Sequence, residues 1–268
     1  MNRIGPVPAL PVLPWRALGR DEYSAALKAG ALQCGICLEQ RFRPDRPTLV
    51  FVHGAGGAPN LFADLATALG DRVNPAVFVW DDKARLAPTA EVLRAAVLRL
   101  PAAVTIVAHS MGMLLPAYIG ATDRCGRLRN LAALYLNPLI GGSRYAGDFR
   151  ALRWLRIGPI LQRAFCRPSF LDLAPESEFQ QTICAHRGAA SSFAARTVLL
   201  FTERRGDEPD IHPSRVPYYF GRTRDELLQR FGTVLRVPLA QTHGHNAPLL
   251  RPNLVLPILE KLLDPRDG

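Results

Sequence analysis

The chain has 268 residues, of which 48% are hydrophobic and 21% charged, and its formal net charge is +10 at pH 7. That balance excludes wholesale disorder, a collagen-like rod and a coiled coil, and a chain this long can bury a large core without disulfides or structural metals. The basic excess is scattered arginine, since Lys occurs only at positions 28, 83 and 261, and no dense basic block or aromatic-interleaved stripe marks a nucleic-acid surface.

Residues 1–20 carry four prolines and read as irregular. They show neither the continuous apolar stretch nor the small-residue cleavage site of a signal peptide. No run of about 18 apolar residues occurs, so no spanning helix is predicted and a cytoplasmic protein is expected. Residues 21–29 predict a short helix opened by Asp21, residues 32–40 a strand, and residues 43–47 a turn made by Pro44, Asp45 and Pro47.

Residues 48–52 are a continuous apolar run rich in β-branched and aromatic side chains, the pattern of a buried parallel strand. The glycine-rich stretch His53-Gly54-Ala55-Gly56-Gly57 follows at once, and apolar residues at 61, 62, 65, 66 and 69 then have helical spacing. The pattern repeats: a strand over 76–80, a helix over 89–100 capped by Thr89 and stopped by Pro101, a strand over 104–108, a helix over 111–119 and a strand over 131–136. Such alternation predicts an α/β fold, a mostly parallel sheet flanked by helices.

The rhythm breaks over residues 141–195. There Arg144, Arg150, Arg153, Arg156, Arg163 and Arg167 lie among Trp154, Leu155, Ile160, Leu161 and Phe165. The expectation is a helical cap inserted in a single domain spanning 1–268, able to cover an apolar pocket with a basic rim and to touch an anionic membrane surface weakly. The sheet resumes over 197–202, followed by a polar loop to Pro213, a helix over 223–231, a strand over 234–239 and an apolar helix over 253–263.

The five cysteines, at 34, 37, 125, 166 and 184, are odd in number and irregularly spaced, unlike a disulfide framework. Cys34 and Cys37 have CxxC spacing, but no second CxxC or His pair stands in register to complete a zinc site. They read as half-buried strand cysteines, and neither a metal nor a cofactor is expected.

Ala108-His109-Ser110-Met111-Gly112 lies between a buried strand and a helix. A serine at such a turn is strained and exposes its hydroxyl at the carboxyl edge of the sheet, with small residues needed two positions either side, here Ala108 and Gly112. The alternative reading of Ser110 is a plain helix cap. The stretch resembles the nucleophile elbow of the α/β-hydrolase superfamily, in the form found in bacterial lipases and esterases. His53-Gly54-Ala55-Gly56 resembles the oxyanion loop of the same families, and the resemblance covers roughly residues 30–263.

The resemblance implies a serine hydrolase in which Ser110 attacks an ester carbonyl and the backbone N–H groups of Met111 and Ala55, or Gly54 in place of Ala55, hold the oxyanion. The chain order of nucleophile, acid and base puts the acid after the 197–202 strand. Glu203, Asp207, Glu208 and Asp210 all fall there, with Asp207 favoured and Asp210 as alternative. The base is sought in residues 241–248, where His245 is favoured over His243, and His109 reads as a packing residue at the elbow. Residues 137–143 and 172–179 resemble two further lipase segments, although the first lacks the family's Thr and His.

The leading expectation is therefore cleavage of small or lipid-like carboxylic esters, without cofactor and without nucleic acid. A thioesterase or acyltransferase with the same triad, or a silent hydrolase fold used for binding, are the alternatives.

Overall fold

The computed structural model describes residues 10–100, 103–123, 125–128, 131–143, 146, 168–185, 196–203, 213–237 and 244–263. Its centre is a seven-stranded sheet in the order β1-β3-β2-β4-β5-β6-β7. The strands are β1 (Gly35–Leu38), β2 (Thr48–Val52), β3 (Asn74–Val79), β4 (Val104–His109), β5 (Leu131–Leu136), β6 (Thr197–Phe201) and β7 (Thr233–Arg236). Only β1 runs antiparallel, pairing with β3, while every other neighbour pair is parallel. The predicted mostly parallel α/β sheet is the one observed.

The apolar runs are continuous because both faces of the sheet are covered. Side chains alternate across it with a period of two. Val50, Val52, Ile106, Ala108, Ala133 and Tyr135 enter one core, under α3 (Leu86–Val97) and α4 (Leu114–Ala121). Leu49, Phe51, Val107, Leu134 and Leu136 enter the other, with Trp15, Leu65 and Leu69 of α2 (Ala63–Leu69), and Val255 and Leu259 of the final helix (Pro252–Leu263).

The helix predicted to begin at Thr89 begins one turn earlier, at Leu86, with Arg85 as its N-cap residue. Thr89 lies inside the helix and donates its hydroxyl to Arg85 O at 2.7 Å. The free N-terminal amide is satisfied from far along the chain, since Leu86 N donates to Asp172 Oδ2 at 2.8 Å. Likewise, Ser110–Met113 forms a 3-10 turn before α4, so the predicted helix at 111 opens tighter than an α-helix.

Of the segment expected to form a cap, Pro168–Asp172 and Glu178–Ala185 are helical, and Phe179 and Ile183 pack into the core beneath α4. Residues 147–167 and 186–195 lie outside the described residues. The two CxxC cysteines differ from expectation: Cys37 is buried in β1, whereas Cys34 precedes the strand and is exposed. No helix among the described residues is long and apolar enough to cross a membrane.

Candidate active site at the carboxyl edge of the sheet

Adjacent parallel strands bring five chain segments to one edge. His53 follows β2, Ser110 follows β4, Asn137 follows β5, Glu203 stands two residues past β6, and His245 lies beyond β7. Loops at the carboxyl ends of parallel strands are where such sheets build sites.

Ser110 holds φ at 52°, in the left-handed region that a side chain with a Cβ rarely adopts. The sharp turn is possible because its surroundings are small. A Cβ on Gly112 would overlap the His53 carbonyl oxygen and sit 2.8 Å from that of Val52. A Cβ on Gly54 would lie 2.8 Å from the Ser110 Cβ and 3.4 Å from Oγ. Gly54 thus allows the glycine loop to approach the serine hydroxyl directly. Met111 is the second residue of the 3-10 turn, in the first turn where backbone N–H groups lack an intrahelical partner. The Gly56 amide is spent on Asp82 and the Gly57 amide on Gly54 O, which leaves the amides of Met111, Gly54 and Ala55 as candidate donors for a developing negative charge.

His53 anchors that loop. Its ring stacks on Trp80, with centroids 5.3 Å apart, and its Nδ1 lies 2.9 Å from Gly54 O. Its Nε2 lies 3.0 Å from the Tyr23 hydroxyl, which donates its one proton to Trp80 O at 2.8 Å. That hydroxyl also accepts from Trp80 N at 2.8 Å. Burial lowers the His53 pKa, which keeps the ring neutral. Tyr23 comes from the helix Arg20–Lys28, and no sequence motif marked it.

His245 is held beside the elbow. Its ring lies 4.8 Å from that of His109, and its carbonyl accepts from His109 Nε2 at 3.0 Å. Burial, and then the neighbouring His245, pushes the His109 pKa down to about 3. His109 is therefore neutral and brings no positive charge against His245.

The acid that meets His245 is Glu203. Its Oε1 lies 3.0 Å from His245 Nδ1, and its side chain is only 9% exposed. Glu203 was among the loop acids in the sequence but was not the favoured one. Asp207, Asp210, Glu208 and His243 lie outside the described residues. Because a carboxylate accepts, Nδ1 carries the ring proton in this contact, and Nε2 keeps a lone pair able to take a proton.

A half-open cavity of about 310 Å³ flanks the loop at Gly56 and Gly57. It mixes the cations Arg20, Lys28 and Lys83 with Asp81 and Asp82. Asp82 Oδ2 accepts from Gly56 N at 2.6 Å and so fixes the outer turn of the glycine loop. Among the described residues, no three His, Cys, Asp or Glu side chains are arranged to hold a metal ion.

The chain has the α/β-hydrolase fold. It superposes on a haloalkane dehalogenase loop variant from Bradyrhizobium elkanii with a TM-score of 0.55 and 14% identity, over 85% of this chain and 96% of that one. A membrane phospholipase A, described as a bacterial virulence factor, gives a TM-score of 0.52 at 14% identity, over 93% of each chain. No protein-family model matches the chain, and no curated protein sequence matches it.

Proposed function

We propose that the protein is a serine hydrolase that cleaves carboxylic esters through an acyl-enzyme on Ser110. The observation that carries this reading is the strained Ser110, at φ 52° with Gly54 against it, at the same sheet edge as a histidine whose Nδ1 is held by a buried carboxylate. The fold does not choose the reaction. By their names, the two fold neighbours are a dehalogenase and a phospholipase, so one scaffold carries different chemistries. The residues of this chain must decide.

In the proposed mechanism His245 Nε2 takes the Ser110 proton as Oγ attacks the carbonyl carbon. The oxyanion that forms is held by the amide of Met111 and one from the glycine loop, Ala55 or Gly54. Glu203 keeps the His245 proton on Nδ1 and stabilises the imidazolium. His245 then returns the proton to the leaving alcohol, leaving an acyl ester on Ser110. Water, activated by the same histidine, attacks that ester and regenerates the hydroxyl. In place of Asp207, Glu203 is the acid of this reading.

The test is a fluorophosphonate probe, which needs an activated serine and an oxyanion hole but no knowledge of the substrate. Mass spectrometry is expected to locate the adduct on Ser110. Labelling should vanish in Ser110→Ala and fall about 10²–10⁴-fold in His245→Ala, with Glu203→Gln also impaired. A folded wild-type protein that takes no label, or a label elsewhere than Ser110, overturns the reading. Full labelling of Glu203→Gln would return the acid to Asp207 or Asp210.

A further inference from the structure

The side chain of Asn137 is 1% exposed and stands one residue past β5, between the segments that carry Glu203 and His245. Its Oδ1 accepts from Thr202 N at 2.8 Å. Its Nδ2 donates to Thr202 Oγ1 at 2.7 Å and to His245 O at 2.7 Å. The Thr202 hydroxyl passes its own proton on to Gly244 O at 3.1 Å. One amide thus uses both its protons and its oxygen on the residue before Glu203 and on the backbone of His245.

The backbone at Asn137 is bent to make this reach. Its φ is 44°, and besides Ser110 it is the non-glycine residue with positive φ among the described residues. Asn tolerates that region better than most side chains. Asn137 N still pairs with Leu200 O at 2.8 Å, so the strand ladder is intact up to the bend. The strain is therefore local to the residue whose side chain spans the two loops. An apolar residue in its place would leave the Thr202 amide and the Thr202 hydroxyl without this partner in a buried setting, where such groups are costly.

We propose that Asn137 is a positioning residue that sets the register of Glu203 against His245, acting through Thr202 and the His245 carbonyl without touching substrate. The role rests on the serine-hydrolase reading for its catalytic consequence but not for its geometry. The His245 carbonyl takes two donors, from Asn137 and from His109 Nε2 at 3.0 Å, so the base is pinned from the strand β5 side and the elbow side at once. Loss of one pin lets the imidazole drift from Glu203, and a displacement of about 1 Å in such a pair costs about a hundredfold in rate.

The experiment compares the wild type with Asn137→Gly, Thr202→Val and the double variant. Glycine removes the side chain and also relieves the positive φ, so backbone strain is not confounded with the lost amide. Two signals are read on each folded protein: the second-order rate of fluorophosphonate labelling at Ser110, and the far-downfield proton resonance of His245 Nδ1–H, assigned by its loss in Glu203→Gln. Asn137→Gly should label about 10–100-fold more slowly and shift or lose the resonance. Thr202→Val, which removes only the hydroxyl link, should change both in the same direction by less. The two effects should combine less than additively in the double variant, because they share the Asn137–Thr202 hydroxyl bond while the Thr202–Gly244 bond is separate.

If Asn137→Gly labels within about twofold of wild type with the resonance unmoved, the amide is structural only and the inference is overturned, while the hydrolase reading stands. If Asn137→Gly does not fold, Thr202→Val decides by the same two signals. If the folded wild type takes no label, the hydrolase reading fails by itself. The resonance then decides the inference: movement in Asn137→Gly supports it, and an unmoved signal overturns it.

Discussion

Single atoms govern the elbow. Ser110 is not merely a serine after a strand, because its left-handed backbone requires that neighbouring chain pass without a Cβ in the way. Gly112 is the tightest case, its missing Cβ occupying the space of the His53 and Val52 carbonyl oxygens. Gly112→Ala should therefore force the β2 and β4 ends apart. The expected cost is about 1–3 kcal/mol. For a protein of this length that is about 2–4 °C of melting temperature per kcal/mol, read by calorimetry, with labelling of Ser110 falling as well. An unchanged melting temperature would mean that the turn relaxes freely. The need for a small residue at 112 was legible in the sequence, but the atoms it avoids were not.

At the scale of elements, the strands were legible because burial on both faces leaves an unbroken apolar signature. The expected strands over 48–52 and 131–136 match β2 and β5. Helix ends were less legible. Thr89 looks like a cap, yet α3 starts at Leu86 because Asp172 supplies the acceptor from across the molecule. The same buried carboxylate meets the half-exposed Arg85 at 2.7 Å, and solvent screening at the arginine leaves that pair little stability to add. Asp172→Ala should cost about 1–2 kcal/mol through the lost cap, and Asp172→Asn, whose oxygen still accepts from Leu86 N, should cost less. Equal losses in urea denaturation would show that the charge matters and the cap does not.

The whole molecule responds to pH through its buried histidines. His109 is held down to about 3 by burial, against an ordinary 6.5, and His53 is lowered for the same cause. Between pH 6.5 and 3 the unfolded chain binds protons that the folded one refuses. Stability is therefore whole above about pH 6.5 and lost as the pH falls, by up to about 1.4 kcal/mol per pH unit from His109, with His53 acting in the same direction. His109→Gln retains a donor toward His245 O but does not titrate. In urea denaturation at pH 7 and pH 5 it should lose about 1–2 kcal/mol less than the wild type. Parallel losses would mean that His109 is protonated without penalty in the folded state.

The alternation of apolar runs and glycine turns determined the α/β sheet, because burial on both faces is a local property of each strand. The strand-flanked Ala108-His109-Ser110-Met111-Gly112 likewise determined which serine stands at the edge, since the turn needs small residues at fixed local offsets. The partner of His245 was beyond the sequence. Four acids share the loop after β6, and local patterning favoured Asp207, whereas contact depends on where Thr202 is tied. Only the tertiary structure brings Glu203 to His245, with Asn137 bridging their two segments from a third strand. Residues 65 and 108 positions apart in the chain leave no shared period or motif to read, and they meet because the parallel sheet ends their segments at one edge.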